Sequence, residues 1–520
     1  MVVEHRVPEP RLPGHRVAEH RVLEHRVLEH LDVLIVGAGL SGIGAACHLQ
    51  DELPGKTYAV LESRNAIGGT WDLFRYPGIR SDSDMFTLGY AFRPWTDPKS
   101  IADGESIRRY IVETAQEYGV RDKIRFHHRV LSAEWSSEQA RWTVTAERSD
   151  TGETVQLTCS WLSVCAGYYR YDEGYRPRFE GEEQFAGQVV HPQHWPEDLD
   201  VTGKRVVVIG SGATAVTLVP SLADDAEHVT MLQRTPSYIL SLPGKDPLAQ
   251  ALRKRLPAKL AYPIVRWKNV LVSTLLFQFS RRRPAAARRL IRRLTEKQLP
   301  AGFDLDTHFN PPYNPWDQRL CLVPDGDLFR TLRRGTASIA TGKIARFTAD
   351  GIALESGEHL DADVVVTATG LNLLPMGGMS LSLDGTPVDL SSTVSYKGMM
   401  ISGVPNFTMV IGYTNASWTL KADLVSRYVC RLLAHLDEHG YASATPVAPP
   451  EGASEPFLDL ASGYVQRSLA ALPKQGSRKP WKLHQNYLRD VQLMRRGPLD
   501  DEGMTFQRRM AATTTEKAVA

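Results

Sequence analysis

Cysteine is scarce in this chain, and what there is forms no pattern. Cys47, Cys159, Cys165, Cys321 and Cys430 make no CxxC pair and no metal-ligand spacing, which argues against a disulfide scaffold, a zinc module and a dithiol reductase. They read as small buried apolar residues of a reduced, cytoplasmic protein. Long apolar runs are missing too. No stretch reaches the roughly 18 uncharged apolar residues of a membrane-spanning helix, and the N-terminus lacks a secretory core. Charge imbalance is the third absence: a formal net charge of +2 creates no global field pointing to nucleic acid or an acidic polymer.

What remains is a chain of 520 residues, 42% of them apolar, long enough for two or three packed domains. Residues 1–30 are dominated by a five-residue repeat, clearest as Glu19-His-Arg-Val-Leu23 and Glu24-His-Arg-Val-Leu28. A period of five matches neither a helix face nor a strand face, so a poorly ordered tail is expected there, and another at 511–520.

Two glycine-rich turns organise the rest. The first, Gly37-Ala-Gly39-Leu-Ser41-Gly42, follows the apolar run Leu31–Val36 and opens an alanine-rich helical pattern. This is the strand–turn–helix order of a dinucleotide site: Gly37 for the tight turn, Gly39 for close approach of a pyrophosphate, Gly42 for helix–strand packing. The next strand, Thr57–Leu61, ends at Glu62, an acid placed to accept from a ribose 2′-hydroxyl, which suits FAD. The second turn, Gly210-Ser211-Gly212-Ala213-Thr214-Ala215, continues through Val216 and Thr217, and its partner strand ends in Gln233-Arg234-Thr235. Arg234 stands where the first unit has its acid, and a guanidinium can clamp a 2′-phosphate, which suits NADPH.

The expected fold is therefore α/β with two dinucleotide-binding, Rossmann-like domains: a first FAD part over 31–167, an NADPH part over 168–364, and a second FAD part with the substrate pocket over 365–510. A helical insertion is expected at 245–300. Within it, residues 253–297 carry fourteen Lys/Arg against the single acid Glu296, around the apolar run Asn269–Phe279. Two readings stand side by side: a helix whose apolar face lies on the protein, or a peripheral contact with an anionic membrane surface.

Between the turns, Phe185-Ala-Gly-Gln-Val-Val-His191-Pro-Gln-His-Trp195-Pro196 reads FxGxxxHxxxWP. With Gly68-Gly-Thr70-Trp71-Asp72-Leu73, Arg75-Tyr-Pro-Gly-Ile-Arg80-Ser81-Asp82 and Gln318-Arg319, it resembles type I Baeyer–Villiger monooxygenases. These flavoproteins use NADPH and O2 to insert oxygen beside a carbonyl. The resemblance covers nearly all of 28–510 and implies an enzyme that converts ketones to esters or lactones through a C4a-peroxyflavin, S-oxygenating thioamides and sulfides as a side activity. It implies Arg319 and Asp82 as catalytic residues, Ser41, Thr70 to Leu73 and the Val130 backbone against FAD, and Arg80 and Ser81 beside NADP. Where the family carries a Lys-Arg pair this chain has Gln318-Arg319, so one expected cation is absent. The fingerprint itself reads as a connector that couples domain rotation to nicotinamide position, or as a packed linker. An N- or S-oxygenating flavin monooxygenase and a non-catalytic flavin-binding protein at a membrane surface are the alternatives.

Overall fold

The computed structural model describes residues 28–458 and 460–508. The expected N-terminal tail lies outside them as far as residue 27, and so does the C-terminal one. Residues 29 and 30, assigned to the tail, are part of the fold: Glu29 pairs with Arg125 at 2.6 Å and His30 opens the first strand.

That strand, His30–Val36, is central to a nine-stranded sheet. It lies parallel to Tyr58–Leu61 on one side and to Thr154–Val164 on the other. Where a strand is flanked on both sides and covered on both faces its residues are apolar, as in Val33–Val36, and Leu34 and Ile35 are almost completely buried. His128–Ser136 and Arg141–Arg148 extend the sheet as antiparallel strands. In Arg141–Arg148 burial alternates residue by residue, the period of a strand with one solvated face. The helix Leu40–Glu52 packs under the sheet against the long helix Trp418–His439, joined by buried His48 Nε2 and Asp423 Oδ1 at 2.8 Å.

The second sheet is wholly parallel, ordered Ala337–Thr341, His228–Gln233, Arg205–Ile209, Val364–Thr367, Gln188–Val190. Val206 to Val208 are at most 1% exposed, and burying each such side chain contributes about 1.5–3 kcal/mol. The boundary expected between 364 and 365 falls inside one of these strands and is corrected to lie beyond Thr367. Outward and return crossings between the two units run side by side, as Tyr169–Gly174 paired antiparallel with Leu371–Leu373.

The insertion is helical as expected: Pro247–Arg253, Ala258–Arg282 and Pro284–Glu296. It is enclosed by two strands paired in parallel, Ile239–Leu242 and Cys321–Pro324. Arg319 thus sits just before the strand that leads out of the insertion.

Candidate active site

A cavity of about 990 Å³ opens between the two units and is lined from both glycine turns. On the first side, Gly37 has φ +101°, and a Cβ there would lie 2.8 Å from the Cys165 carbonyl oxygen. At Gly42 a Cβ would meet the Gly37 carbonyl oxygen at 1.8 Å. Only glycine lets the helix start so close under the strand, which brings its free N–H groups to the cavity. Gly39, Ser41, Thr70, Trp71, Leu73 and Val130 all line the space. Trp418 Nε1 donates to Ser41 Oγ at 2.7 Å, tying the long helix to the turn.

Glu62 is buried and lines the cavity as well. Its carboxylate accepts from the Ala38 N–H at 2.7 Å and the Arg64 N–H at 2.9 Å. Loss of solvation raises its pKa, against the pull of those donors. These two, with a longer bond from Ser63 Oγ at 3.4 Å, leave acceptor capacity for a ribose diol. A cavity of this size, a glycine cradle and a carboxylate in one place fit an FAD.

Asp72 does not line the cavity. Its buried carboxylate holds Arg64 at 2.5 Å and Arg75 at 2.8 Å, so the expected cofactor contact is corrected to a structural ion triad that fixes the Thr70–Leu73 turn. Gly42 and Gly210 likewise act through packing: a Cβ at Gly210 would meet the Ala368 carbonyl oxygen at 2.4 Å.

On the second side, Ser211, Gly212, Ala213, Thr214 and Thr217 line the cavity. Ala215 and Val216, expected at the cofactor, are buried in the helix core and do not reach it. Helix geometry is the reason, since consecutive residues point 100° apart and only one face meets the ligand space. Arg234 is exposed at the end of its strand, off the cavity wall, without a hydrogen bond or ion pair among the described residues. Thr235 also lies off the wall, and its carbonyl accepts from Ser211 Oγ at 3.0 Å. Arg80 and Ser81 line the cavity, but the Arg80 guanidinium is paired with Asp327, so the charge assigned to NADP is already held by the protein.

The sequence-distant pair Asp82 and Arg319 meets here, Arg319 Nη2 to Asp82 Oδ2 at 2.6 Å, both facing the cavity and both partly exposed, 25% and 33%. The carboxylate charge holds the guanidinium protonated well above its ordinary range. Three tyrosines that sequence reasoning missed, Tyr168, Tyr169 and Tyr464, line the same end and are felt electrostatically by Arg319. Tyr168 meets Tyr169 edge-on at 4.7 Å and packs on Trp418 at 5.1 Å. Tyr168 and Tyr169 had a signal, following Gly167 where the strand leaves the first sheet; Tyr464 had none.

The fingerprint connects the two sides. Gln188–Val190 is an edge strand of the second sheet, and His191 to His194 line the cavity. The His191 ring fills the space where a Cβ at Gly174 would sit, within 2.0 Å, and its Nε2 lies 3.3 Å from the Gly370 carbonyl oxygen.

The description "flavin-binding monooxygenase-like" belongs to a family model that matches residues 31–433. The chain belongs to that family. Among its relatives are the FAD-containing monooxygenase EthA of Mycobacterium tuberculosis, 57% identical over 92% of this chain and 98% of the relative. The probable FAD-binding monooxygenase AlmA of Acinetobacter baylyi is 47% identical over 92% and 96%. A solved oxidized steroid monooxygenase bound to NADP superposes with TM-score 0.71 at 25% identity, covering 92% of this chain and all of its own. An open cyclohexanone monooxygenase gives the same TM-score, 0.71, at 20% identity and shares the fold. Membership of the flavin-binding monooxygenase-like family makes this chain a flavin-dependent monooxygenase.

Proposed function

We propose that the enzyme is an FAD- and NADPH-dependent Baeyer–Villiger monooxygenase acting on ketones, with S-oxygenation of thioamides and sulfides as a side activity. The balance is ketone, NADPH, H⁺ and O2 to ester or lactone, NADP⁺ and water. The observation that carries this reading is the Asp82–Arg319 pair at the cavity between the two dinucleotide turns. Support also comes from the relatives' names, since EthA and AlmA are FAD proteins and the steroid monooxygenase holds NADP.

Bound FAD, reduced by NADPH, supplies the activation of oxygen. Arg319 supplies a fixed positive charge where negative charge develops on the substrate oxygen as its carbonyl carbon is attacked. Such a charge in a site shielded from water is among the largest contributions to catalysis. Asp82 positions that guanidinium and offsets part of its desolvation. Tyr168, Tyr169 and Tyr464 wall the same end. Gly39 and the adjoining helix start would hold a pyrophosphate and Glu62 a ribose; Ser211 to Thr214 would line the second dinucleotide, and Arg234, exposed at its strand end, would be the cation available to a 2′-phosphate.

The test is to incubate FAD-loaded enzyme with NADPH, O2 and a panel of 2-alkanones and phenylacetone, and identify esters by mass spectrometry. N- or S-oxides without any ester would overturn the reading in favour of an N- or S-oxygenating flavin monooxygenase.

A further inference from the structure

The helix Ala258–Arg282 has two faces with different tasks. Its inner face grips the loops that carry the Asp82–Arg319 pair. Buried Arg266 Nη1 donates to the carbonyls of Phe86 at 2.7 Å and Gly89 at 2.8 Å, and Asn269 Nδ2 donates to Asp84 Oδ1 at 2.8 Å. A few turns on, Phe277 meets Trp316 edge-on at 5.5 Å and Arg281 Nη1 pairs with Asp317 Oδ1 at 2.7 Å. The helix therefore braces the chain just after Asp82 and just before Arg319.

Its outer face does none of this. Leu260, Ile264, Trp267, Leu271, Leu275 and Phe279 recur at helical spacings of four, three, four, four and four, and are 58%, 48%, 43%, 45%, 67% and 38% exposed, with Val272 beside them at 57%. One exposed apolar residue needs no explanation, but a continuous stripe along about five turns does. Pro284–Glu296 adds exposed Leu290 and Leu294, with exposed Arg289 and Arg293 next to them. Of the fourteen cations in 253–297, Lys254, Arg255, Lys259, Arg282, Arg283, Arg289, Arg293 and Lys297 have side chains without a partner among the described residues, and Glu296 is the only acid in that range.

We propose that this outer face is a docking surface for an anionic lipid bilayer, the apolar stripe entering the headgroup–acyl boundary and the unpaired cations meeting the lipid phosphates. An apolar stripe flanked by basic side chains, on a helix too interrupted by charge to span, is the arrangement of an interfacial helix. No helix among the described residues is long and apolar enough to cross a membrane. A second copy of the chain is disfavoured as the occupant, because a symmetric contact would set each unpaired cation against like charge. The brace places the docked face directly behind both loops of the active site, so a lipophilic substrate dissolved in the bilayer is held beside the enzyme.

FAD-loaded full-length enzyme is floated with vesicles of phosphatidylcholine alone and of equimolar phosphatidylcholine and phosphatidylglycerol. Binding is expected to the anionic vesicles only and to weaken with added salt. The variants Leu271→Asp/Leu275→Asp and Arg282→Glu/Arg289→Glu/Arg293→Glu should each lose roughly tenfold or more in binding while keeping flavin content and the rate of NADPH oxidation in detergent-free buffer. Absence of flotation at low salt, or flotation of both variants undiminished from that of the native enzyme, overturns the proposal. So does a dimer by light scattering that Leu271→Asp/Leu275→Asp converts to monomer, which would assign the stripe to a second copy. Flotation does not depend on ester formation, so its failure and that of the ketone assay are read separately.

Discussion

At the scale of single residues, the proposed function puts the fixed positive charge on Arg319, a cation whose counter-charge lies beside it at 2.6 Å. Arg319→Ala is expected to be reduced by NADPH at close to the native rate and to lose ester formation by about 10²–10³-fold, read by stopped-flow absorbance and product analysis. Undiminished ester would remove the residue from catalysis. His48 offers a test of another kind. Burial alone would lower its pKa, but hydrogen bonds with Asp423 and Glu52 outweigh it and leave the value above the ordinary 6.5. Burial acts on Asp423 in the opposite sense, and the bond with His48 prevails, taking it from 3.8 to about 2. A raised histidine stabilises fully below 6.5 and is lost as pH rises through its folded value; a lowered aspartate stabilises fully above 3.8 and is lost as pH falls towards about 2. The pair is therefore at full strength between those two limits. His48→Gln should cost about 1–3 kcal/mol at pH 6, with the difference shrinking as the pH rises past 6.5 in thermal denaturation. A pH-independent difference would count against the coupling.

At the scale of elements, the two glycine turns look alike in sequence and differ in packing. Gly42→Ala must displace the Gly37 carbonyl, 1.8 Å from the new Cβ. It should lower stability by about 1–3 kcal/mol and release flavin, measured by absorbance of the purified protein. Gly212→Ala meets nothing within 4 Å, so it should fold and hold flavin normally while raising the KM for NADPH, because the methyl stands where a pyrophosphate approaches. A matching loss of flavin in both variants would contradict that division. Arg234→Ala should raise the KM for NADPH about 10–100-fold, the worth of a charge-assisted bond, and leave that for NADH unchanged. The turns, their strands and Glu62 were legible because backbone sterics fix glycine at such positions. The role of Asp72 was not, since its partners Arg64 and Arg75 are a matter of side-chain direction, and Ala215 and Val216 were misplaced because a sequence run does not say which helix face meets the ligand.

At the scale of the whole molecule, the two crossing strands and the fingerprint lie together between the two units. His191 is held between Gly174 and Gly370, and loss of solvation lowers its pKa, keeping the ring neutral near pH 7. Gly174→Ala should displace that ring, leave Tm close to native, and slow turnover with more NADPH oxidised per ester formed; native coupling would make the fingerprint a packed linker only. The N-terminal repeat lies outside the described residues as far as residue 27. Deleting residues 2–27 should leave flavin content and turnover unchanged, because the first strand and the Glu29–Arg125 pair remain.

By itself the sequence determined which segments would be strands and helix starts, that there are two dinucleotide units, and which family they resemble, because those features depend on local sterics and on short-range periodicity. Tertiary structure decided the rest. It brought Asp82 to Arg319, surrounded them with Tyr168, Tyr169 and Tyr464, moved the domain boundary beyond Thr367, and turned one face of Ala258–Arg282 inward to the catalytic loops and the other outward to solvent. Each of those depends on which distant surfaces pack together, and a pattern along the chain carries no information about its partner until the chain has folded.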